Sequence, residues 1–367
     1  MIFRRWLGDR SPIDGALSFG RAGVLASHPA EQVPAIVHRR SILAGSAGML
    51  ALVSCGAGGD DARDKARDGP RAWSVPARQV PVLPLPEGHR LQLLGGLELD
   101  DAAIGFGGFS AMHLDDDLQL TVVSDVARWM SARLVLRDDG RPAGLSELRT
   151  GRLRDGSGQP LTRGYGGDAE GLARLPDGSW VVSFERWHRL RSFRNLNGSG
   201  AYVEAPPGLE RAPFNGGVEA IAVLSDGAWL VMTETMPAGE NPRDRQAWLG
   251  TPGAWKAIGY RAAAGYDPAD ATALPDGGAL VLERRFSLFG GFGGRVVRLT
   301  AAQLAGAVPG AVLEGVEILS LTAPLPTENY EAVSVARNGG RTLLAVLADD
   351  NENMLQRSLL LLFACHM

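Results

Sequence analysis

The sequence is poor in lysine and cysteine. Only Lys65 and Lys256 occur among 37 cationic residues, so nearly all positive charge is carried by arginine. Neither lysine lies in a recognisable motif, which argues against a catalytic lysine, and we attribute the bias to genomic base composition. The two cysteines are Cys55 and Cys365. If Cys55 is acylated, as argued below, no disulfide can form within the chain and the domain must be stable through its core.

Several functional motifs are also missing from the sequence. There is no G-x-S-x-G nucleophile elbow, no Walker motif and no G-x-G-x-x-G between a strand and a helix. The four histidines after residue 54 lack the spacing of zinc ligands, which makes a zinc site improbable. Residues 55–367 hold 31 cations and 38 anions, a net charge of −7, which weighs against a nucleic-acid partner.

The N-terminal region predicts export. Arg39 and Arg40 precede a run of 13 apolar or small residues, too short for a membrane span. The arginine pair resembles a twin-arginine (Tat) signal, with an ordinary Sec signal as the alternative. The run ends in the lipobox-like sequence LVSC, which predicts lipidation at Cys55; a plain signal-peptidase site near Ser54 is the alternative. We therefore expect a periplasmic or cell-envelope lipoprotein that meets the membrane only through its lipid anchor.

The sequence predicts three regions along the chain. Residues 1–54 form the signal region, and residues 1–36 within it are consistent with a misplaced start codon. Residues 55–80 are small, charged and proline-bearing, which is typical of a flexible tether. Residues 81–364 form the folded domain.

Glycine is abundant, with 48 residues, and much of it falls in an internal repeat. Five segments share an acidic or small start, an alternating apolar strand, a turn such as PDG or RNGG, and a second apolar strand ending in Asp or Glu: 107–125, 167–185, 216–234, 268–283 and 329–349. Asp-Gly or Asn-Gly between apolar runs is a strong hairpin signal. Strand repeats of roughly 40–50 residues predict an all-β fold, the β-propeller.

Counting strands predicts the number of blades. Two further strand-like runs follow most hairpins, which gives four-stranded blades. The last repeat lacks a fourth strand, and the run 89–99 can supply it, so that the two termini close the ring and remove exposed sheet edges. We predict five blades; six remains open if one interval hides a degenerate blade. A β-sandwich would not explain the recurring acidic positions.

The acidic residues of the repeat predict a charged site. Strand starts and strand ends of each hairpin meet at one face of a propeller, so their carboxylates surround one mouth of the channel. The predicted ring is Asp125, Asp168, Glu170, Glu185, Glu219, Glu234, Asp270, Glu283, Glu331, Asp349 and Asp350, with Asn351 as a neutral oxygen ligand. Such crowding favours a bound cation or arginine partners. In one interpretation the ring holds a hard cation, Ca²⁺ before Mg²⁺, and arginines hold an anionic substrate. In the other, Glu–Arg pairs tie neighbouring blades together and cap backbone N–H groups.

The sequence resembles the phytase-like family described as having esterase-like activity of phytase, found in exported bacterial proteins. The matching stretches include FGGFSAM (106–112), GDAEGLARLPDGSWVVSFER (167–186), GVEAIAVLSDG (217–227) and LPDGGALVLERRFSLFGGFGGRVVRL (274–299). The resemblance implies a phosphoester or ester hydrolase related to β-propeller phytases, which use Ca²⁺. Small-for-small departures stand at Ala111, Ala220 and Ala332.

Together these observations lead to three functional hypotheses. The first is an exported, monomeric hydrolase of a small anionic or ester substrate, with catalytic residues Glu170, Glu185, Arg186, Glu283 and Arg284. Its calcium (Ca2+) ligands would be Asp168, Glu219, Glu234, Glu331, Asp349, Asp350 and Asn351. The second is a non-catalytic propeller that binds a ligand or partner at the cell envelope, and the third and weaker one is a lactone or sugar-acid hydrolase.

Overall fold

The structure is a computed structural model that describes residues 78–80, 85, 90–287, 290–350 and 356–365, all within one compact unit, 58–367. The predicted signal residues Arg39 and Arg40, the lipidation site Cys55 and the predicted ligand Asn351 lie outside the described residues. Among the described residues, no helix has the length and apolarity needed to cross a bilayer.

Five antiparallel sheets form a five-bladed β-propeller, which confirms the predicted fold and blade count. Two strands and a short helix precede the first complete blade: β1 (Arg78–Val80), β2 (Leu91–Glu98) and α1 (Asp101–Ile104). Blade 1 contains β3 (Phe109–Leu114), β4 (Gln119–Ser124), β5 (Arg128–Leu136) and β6 (Pro142–Arg152). Blade 2 contains β7 (Ala169–Arg174), β8 (Trp180–Phe184), β9 (Arg189–Phe193) and β10 (Ala201–Val203), followed by a 3-10 turn at Leu209–Arg211.

The remaining blades follow the same plan. Blade 3 contains β11 (Val218–Val223), β12 (Trp229–Pro237), β13 (Asp244–Thr251) and β14 (Ala254–Arg261). Blade 4 contains β15 (Asp267–Ala273), β16 (Ala279–Ser287), β17 (Gly291–Leu299) and, after α2 (Ala301–Ala305) and β18 (Val312–Glu314), β19 (Val316–Leu321). Strand β18 joins blade 3 instead, parallel to β14. Blade 5 contains β20 (Asn329–Asn338), β21 (Arg341–Asp349) and β22 (Leu359–Cys365).

The N-terminal strand β2 closes the ring, as the sequence predicts. It pairs antiparallel with β22, with Leu91 opposite Cys365 and Glu98 opposite Leu359, and β1 adds a fifth strand outside it. The first strands of the blades contact one another in a closed cycle, β3–β7–β11–β15–β20–β3, and enclose the channel. Closure pairs the edge that blade 5 would otherwise expose.

Local sequence explains the hairpins. In blade 2 the turn has Gly178 at φ +81°, and the Asp177 carboxylate accepts a hydrogen bond from Ser179 N at 2.9 Å. Blades 3 and 4 repeat this arrangement with Asp226 and Asp276. Glycine supplies the left-handed backbone and aspartate satisfies a turn N–H, so the Asp-Gly pairs fix the hairpin register.

Apolar strand faces pack blade against blade. Residues such as Leu172, Val182 and Phe184 of blade 2 pack with Ala111 and Val123 of blade 1, and similar clusters lie between the other blades. Burial of these faces supplies most of the favourable folding free energy. The blades are thus held rigidly, and the channel ends keep fixed positions.

Candidate functional site

The candidate site lies at the channel end where the first strands of the blades begin, and we call this end the mouth. Each first strand has a register shift at its start, between Phe109 and Ala111 in blade 1 and at matching points in the others. A β-bulge re-aims a side chain that regular pairing would place elsewhere. The residues within these shifts are Ser110, Glu170 with Gly171, Glu219, Ala269 and Glu331.

A second set of mouth residues stands where the second strands end. The backbone of each of these residues pairs with the residue at the beginning of the first strand of the same blade, or with the residue directly before it. Glu185 N, for example, donates to Asp168 O at 2.8 Å. The same pairing defines the set across the five blades: Asp125, Glu185, Glu234, Arg284 and Asp349. Blade 4 therefore differs from blades 2, 3 and 5 at two positions. Ala269 replaces the glutamate within the register shift, and Arg284 replaces the acid at the end of the second strand.

Two predicted ring acids lie one residue away from these positions. Glu283 precedes Arg284, and its carboxylate is buried against Tyr260 Oη at 2.5 Å and Arg295 Nε at 3.0 Å. Asp270 follows Ala269, and its carboxylate accepts a hydrogen bond from Val333 N of blade 5 at 2.9 Å. Because side chains alternate along a strand, a shift of one residue turns the side chain to the other face. The structure thus does not bring Glu283 or Asp270 into the mouth, and both have roles in blade packing.

Arg284 supplies an internal counter-charge at the mouth. Its guanidinium donates to Glu331 Oε1 and, at 2.9 Å, to Glu234 Oε1, so it joins blades 3, 4 and 5. Burial by itself lowers the pKa of Arg284, but the carboxylates of Glu331, Glu234 and Glu219 raise it well above its usual value. Arg284 is therefore always charged and fully engaged by protein carboxylates.

The acids outnumber this single cation. Burial raises the pKa of Glu331 to about 8, although Arg284 acts in the opposite direction. Burial and neighbouring carboxylates raise the pKa of Glu170 and Glu219 well above the usual value. An excess of buried carboxylates is stabilised by protons or by a further cation.

Two backbone N–H groups hold the carboxylate of Glu185 in the mouth. Its Oε1 accepts hydrogen bonds from Gly216 N and, at 3.0 Å, from Gly217 N of the next blade. Burial raises its pKa to about 7, with the backbone N–H groups opposing the effect. Two backbone donors fix the carboxylate across the gap between blades 2 and 3, so its position does not depend on a mobile partner.

Two groups of carboxylates could hold a metal ion, and both include Glu185. One is Asp168, Glu170 and Glu185; the other is Glu185, Glu219 and Glu234; ligand atoms within each group lie within 4.8 Å of one another. All donors are carboxylate oxygens, the ligands preferred by Ca²⁺ and Mg²⁺. The residues present therefore fit a hard cation on the side of the mouth formed by blades 2 and 3.

The other predicted ligands lie elsewhere at the mouth. Neither three-residue group includes Glu331, Asp349 or Asp350. Asp349 Oδ1 accepts a hydrogen bond from Phe109 N of blade 1 at 2.7 Å. Asp350 lies beside Asp101, whose pKa is raised to about 8 by burial and by the Asp350 charge. Glu185, Asp349 and Asp270 each bind a backbone N–H of the following blade, as the structural interpretation of the acids predicts.

Arg186 is a partly exposed cation at the rim of the mouth. Its Nε lies 2.6 Å from Asp168 Oδ2, and its side chain is 36% exposed. Its φ of 59° is unusual for a residue with a side chain, and such a conformation costs about 1–3 kcal/mol. The turn after β8 thus holds Arg186 beside the first carboxylate group and open to solvent.

Phe214, an aromatic side chain that the sequence analysis did not select, lies beside Arg186, and Tyr165 and Trp187 form a stacked pair next to Arg189. Tyr165 and Trp187 stack at a centroid distance of 6.3 Å, and the Phe214 ring lies 5.9 Å from Arg186 Cζ. All three are at least half exposed. Tyr165 and Phe214 lie in loops that precede first strands, and Trp187 lies in the loop after a second strand. The sequence of such loops does not predict which of their side chains lie close together.

His188 also lies at the mouth. Its Nε2 is 2.9 Å from Pro213 O, so in a neutral ring Nε2 carries the proton and Nδ1 is the acceptor. His188 Nδ1 lies so close to Gly217 that any side chain at position 217 would clash with it. His188 is therefore directly beside the glycine whose backbone N–H donates to Glu185. The structure thus places His188, one of the four histidines without zinc-ligand spacing, at the site.

Comparison with solved structures finds propellers of low sequence identity. A gluconolactonase from Xanthomonas campestris is 13% identical, with 81% of this chain and 99% of that chain covered and a TM-score of 0.41. A sialidase from Trypanosoma rangeli is 8% identical, with 80% and 55% covered and a TM-score of 0.36. At these scores the similarities carry no information on substrate.

Comparison with protein families gives a specific result. No curated protein matches the chain significantly. The family model described as "Phytase-like: Esterase-like activity of phytase" matches residues 104–352, which is more than half of the chain and includes all the mouth residues described above. The chain therefore belongs to the phytase-like family that carries this description, as its sequence motifs predict.

Proposed function

We propose that the protein hydrolyses phosphoesters or other esters at the mouth, with a cation, Ca²⁺ before Mg²⁺, held by carboxylates. The observation that carries the proposal is the pair of carboxylate groups that share Glu185, next to the exposed guanidinium of Arg186. Membership of the phytase-like family supports a hydrolase at the level of the family.

The cation would be held by Glu185 together with Asp168 and Glu170, or with Glu219 and Glu234. When bound, it would polarise a phosphoryl or carbonyl oxygen and lower the pKa of a bound water. Glu185 is held in place by Gly216 N and Gly217 N, so it orients whatever the carboxylates bind. The role of the backbone here is to keep the ligand set rigid.

The two candidate catalytic arginines have different roles. Arg186 is partly exposed and uses its Nε towards Asp168, so its other donors can bind an anionic group of the substrate. Arg284 is held by Glu234 and Glu331 and balances charge inside the mouth. We therefore assign anion binding to Arg186 and a positioning role to Arg284.

The exposed aromatic residues favour substrates with an apolar portion. Phe214 provides an exposed ring face beside Arg186, and the exposed stacked pair Tyr165 and Trp187 lies next to Arg189. An aryl or acyl group packed on Phe214 would lie beside Arg186 and its partner Asp168. This arrangement suits aryl phosphates and aryl esters better than small polar esters.

Hydrolysis of p-nitrophenyl phosphate and p-nitrophenyl butyrate, with and without EDTA, tests the proposal. We expect turnover that EDTA abolishes and Ca²⁺ restores, and that falls about 100-fold or more in Glu185→Gln. Glu240→Gln, an exposed glutamate, is the matched control and should retain full activity. Activity that survives both EDTA and Glu185→Gln would refute the site. The absence of turnover on all esters would instead favour a binding propeller.

We further propose that the protein is an exported, monomeric lipoprotein anchored at Cys55. The arginine pair Arg39–Arg40 and the lipobox-like LVSC support this proposal. Cys55→Ala should move the protein from the membrane fraction to the soluble fraction of the producing cells. An unchanged distribution would refute lipidation at this residue.

A further inference from the structure

A large polar cavity lies between blades 1 and 2, apart from the mouth. It has a volume of about 730 Å³, the size of sites for small organic ligands. Blade 1 contributes a row of side chains that pair across its four strands, His113–Thr121–Ser131–Arg149. This row lies towards the hairpin turns, whereas the mouth lies at the opposite ends of these strands.

The polar row interrupts an otherwise apolar interface. Two residues nearer the mouth, the same face of blade 1 carries Ala111 and Val123, which pack against Leu172 and Val182 of blade 2. Blades normally bury apolar faces against each other, whereas this row runs from buried Thr121 to exposed Arg149 and contacts blade 2 through His113 and the Trp180 ring. The change of character along one sheet face indicates a site for a polar ligand.

Arginines outnumber carboxylates on the walls of the cavity. Its walls carry Arg149, Arg154 and Arg174 but only one carboxylate, that of Asp115. Arg149 forms no ion pair within the described part of the chain, and Arg174 lies 4.2 Å over the Trp180 ring; burial lowers the pKa of Arg174, and the nearby carboxylates of Asp115 and Asp177 oppose this effect. Guanidinium groups bind phosphate and carboxylate through two parallel hydrogen bonds.

The remaining walls suit hydroxyl groups and a ring face. Gln119, Asn195 and Asn197 present amides, and Thr121 and Ser131 present hydroxyls. Trp129 lines one side, and its buried Nε1 has no hydrogen-bond partner among the described residues. Burial lowers the pKa of His113 to about 4, so at neutral pH its ring is a neutral hydrogen-bonding group, set edge-on to Trp180 at 5.5 Å.

We propose that this cavity binds a hydroxylated anion of hexose size, a sugar phosphate or a sugar carboxylate. Arg149 and Arg174 bind the anionic group, and the amides and hydroxyls bind the sugar hydroxyls. The proposal concerns binding at this cavity and assigns no reaction to it. The proposal is independent of the function proposed for the mouth.

Titration calorimetry of the full chain in EDTA tests the proposal, with glucose 6-phosphate, gluconate, inorganic phosphate and glucose as probes. We expect saturable binding of glucose 6-phosphate or gluconate, at least about tenfold tighter than that of glucose or inorganic phosphate, with a change in tryptophan fluorescence from Trp129 and Trp180. Arg149→Met and Arg174→Met should each weaken binding about tenfold or more.

Three controls make the result decisive. Arg194→Met changes an exposed arginine outside the cavity and should not alter affinity. Glu185→Gln at the mouth should not alter it either. Arg149 and Arg174 are exposed at the cavity rim, so unchanged unfolding temperatures should verify the fold of both variants, and Thr121→Val gives a further test from the inner wall. No saturable binding, equal affinity for inorganic phosphate and glucose 6-phosphate, or full affinity in both arginine variants would overturn the proposal.

Discussion

Replacement of Arg284 by methionine tests how the mouth balances its charge. Methionine keeps an unbranched apolar chain but removes the guanidinium that joins Glu234 of blade 3 to Glu331 of blade 5. Arg284 is 24% exposed and Glu331 is 10% exposed, so the carboxylates left behind are largely shielded from water. Removal of one partner from a buried ion pair costs about 3–5 kcal/mol.

The expected loss depends on pH. Burial holds the pKa of Glu331 at about 8 in the folded protein, and removal of Arg284 would raise it further. At pH 9 the wild-type carboxylate is ionised and paired, and in the variant it must be either buried unpaired or protonated at a cost. At pH 5 Glu331 is protonated in both proteins. We therefore expect a loss of about 3–5 kcal/mol in unfolding free energy at pH 9 and less than about half of that at pH 5.

Urea unfolding followed by tryptophan fluorescence, at pH 5 and pH 9 in EDTA, measures the effect. Arg285→Met is the matched control, because Arg285 is the next residue, is exposed and lies 5.1 Å from the Tyr266 ring centroid. We expect the control to lose less than about 1 kcal/mol at either pH. Equal losses in Arg284→Met at the two pH values, or a loss no larger than that of Arg285→Met, would refute the assignment of Arg284 as the internal counter-charge.

Three further predictions concern the mouth and the ring. Burial raises the folded-state pKa of Glu185 to about 7 and of Glu331 to about 8, so these acids contribute stability that is complete below about pH 4.5 and is lost through pH 7–8. In EDTA the unfolding free energy should therefore fall from pH 5 to pH 8, and added Ca²⁺ at pH 8 should recover part of it. An unfolding free energy that does not change with pH would contradict the raised pKa values. Asp349→Ala should cost about 1–3 kcal/mol in urea unfolding because Phe109 N loses its acceptor, and Asp349→Asn should cost less; equal losses would argue against this hydrogen bond. Removal of residues 1–98 should abolish cooperative thermal unfolding because β2 is lost, whereas removal of residues 1–77 should preserve it; a stable protein without β2 would show that the ring does not need this strand.

The fold followed from the sequence to an unusual degree. Four of the five first hairpins have an Asp-Gly or Asn-Gly turn between apolar strands, the exception being blade 1 with Asp115–Leu118, and such local signals do not depend on distant residues. The missing fourth strand of the last repeat and the unpaired run 89–99 predicted the closure by β2, because exposed edges are unfavourable. Periodicity therefore predicted the propeller and favoured five blades, and the structure decided between five and the six that the sequence left open.

The residues that face into the mouth were decided only by the tertiary structure. The sequence placed Glu283 with Glu185 and Glu234, since each is an acid near the end of a second strand, but strand pairing shows that Arg284 holds the equivalent position. One residue of register separates a channel-facing side chain from one that faces a neighbouring blade, and bulges at every first strand shift that register. Composition and spacing do not record such shifts.

The sequence by itself determined the propeller, its closure and an acidic mouth, because these depend on repeated short-range patterns. The tertiary structure alone decided that Arg284 replaces an acid, that the carboxylates gather around Glu185, and that a cationic cavity lies between blades 1 and 2. These features join side chains from different blades, dozens to hundreds of residues apart. Their contacts are set by how the blades pack, which no local pattern encodes.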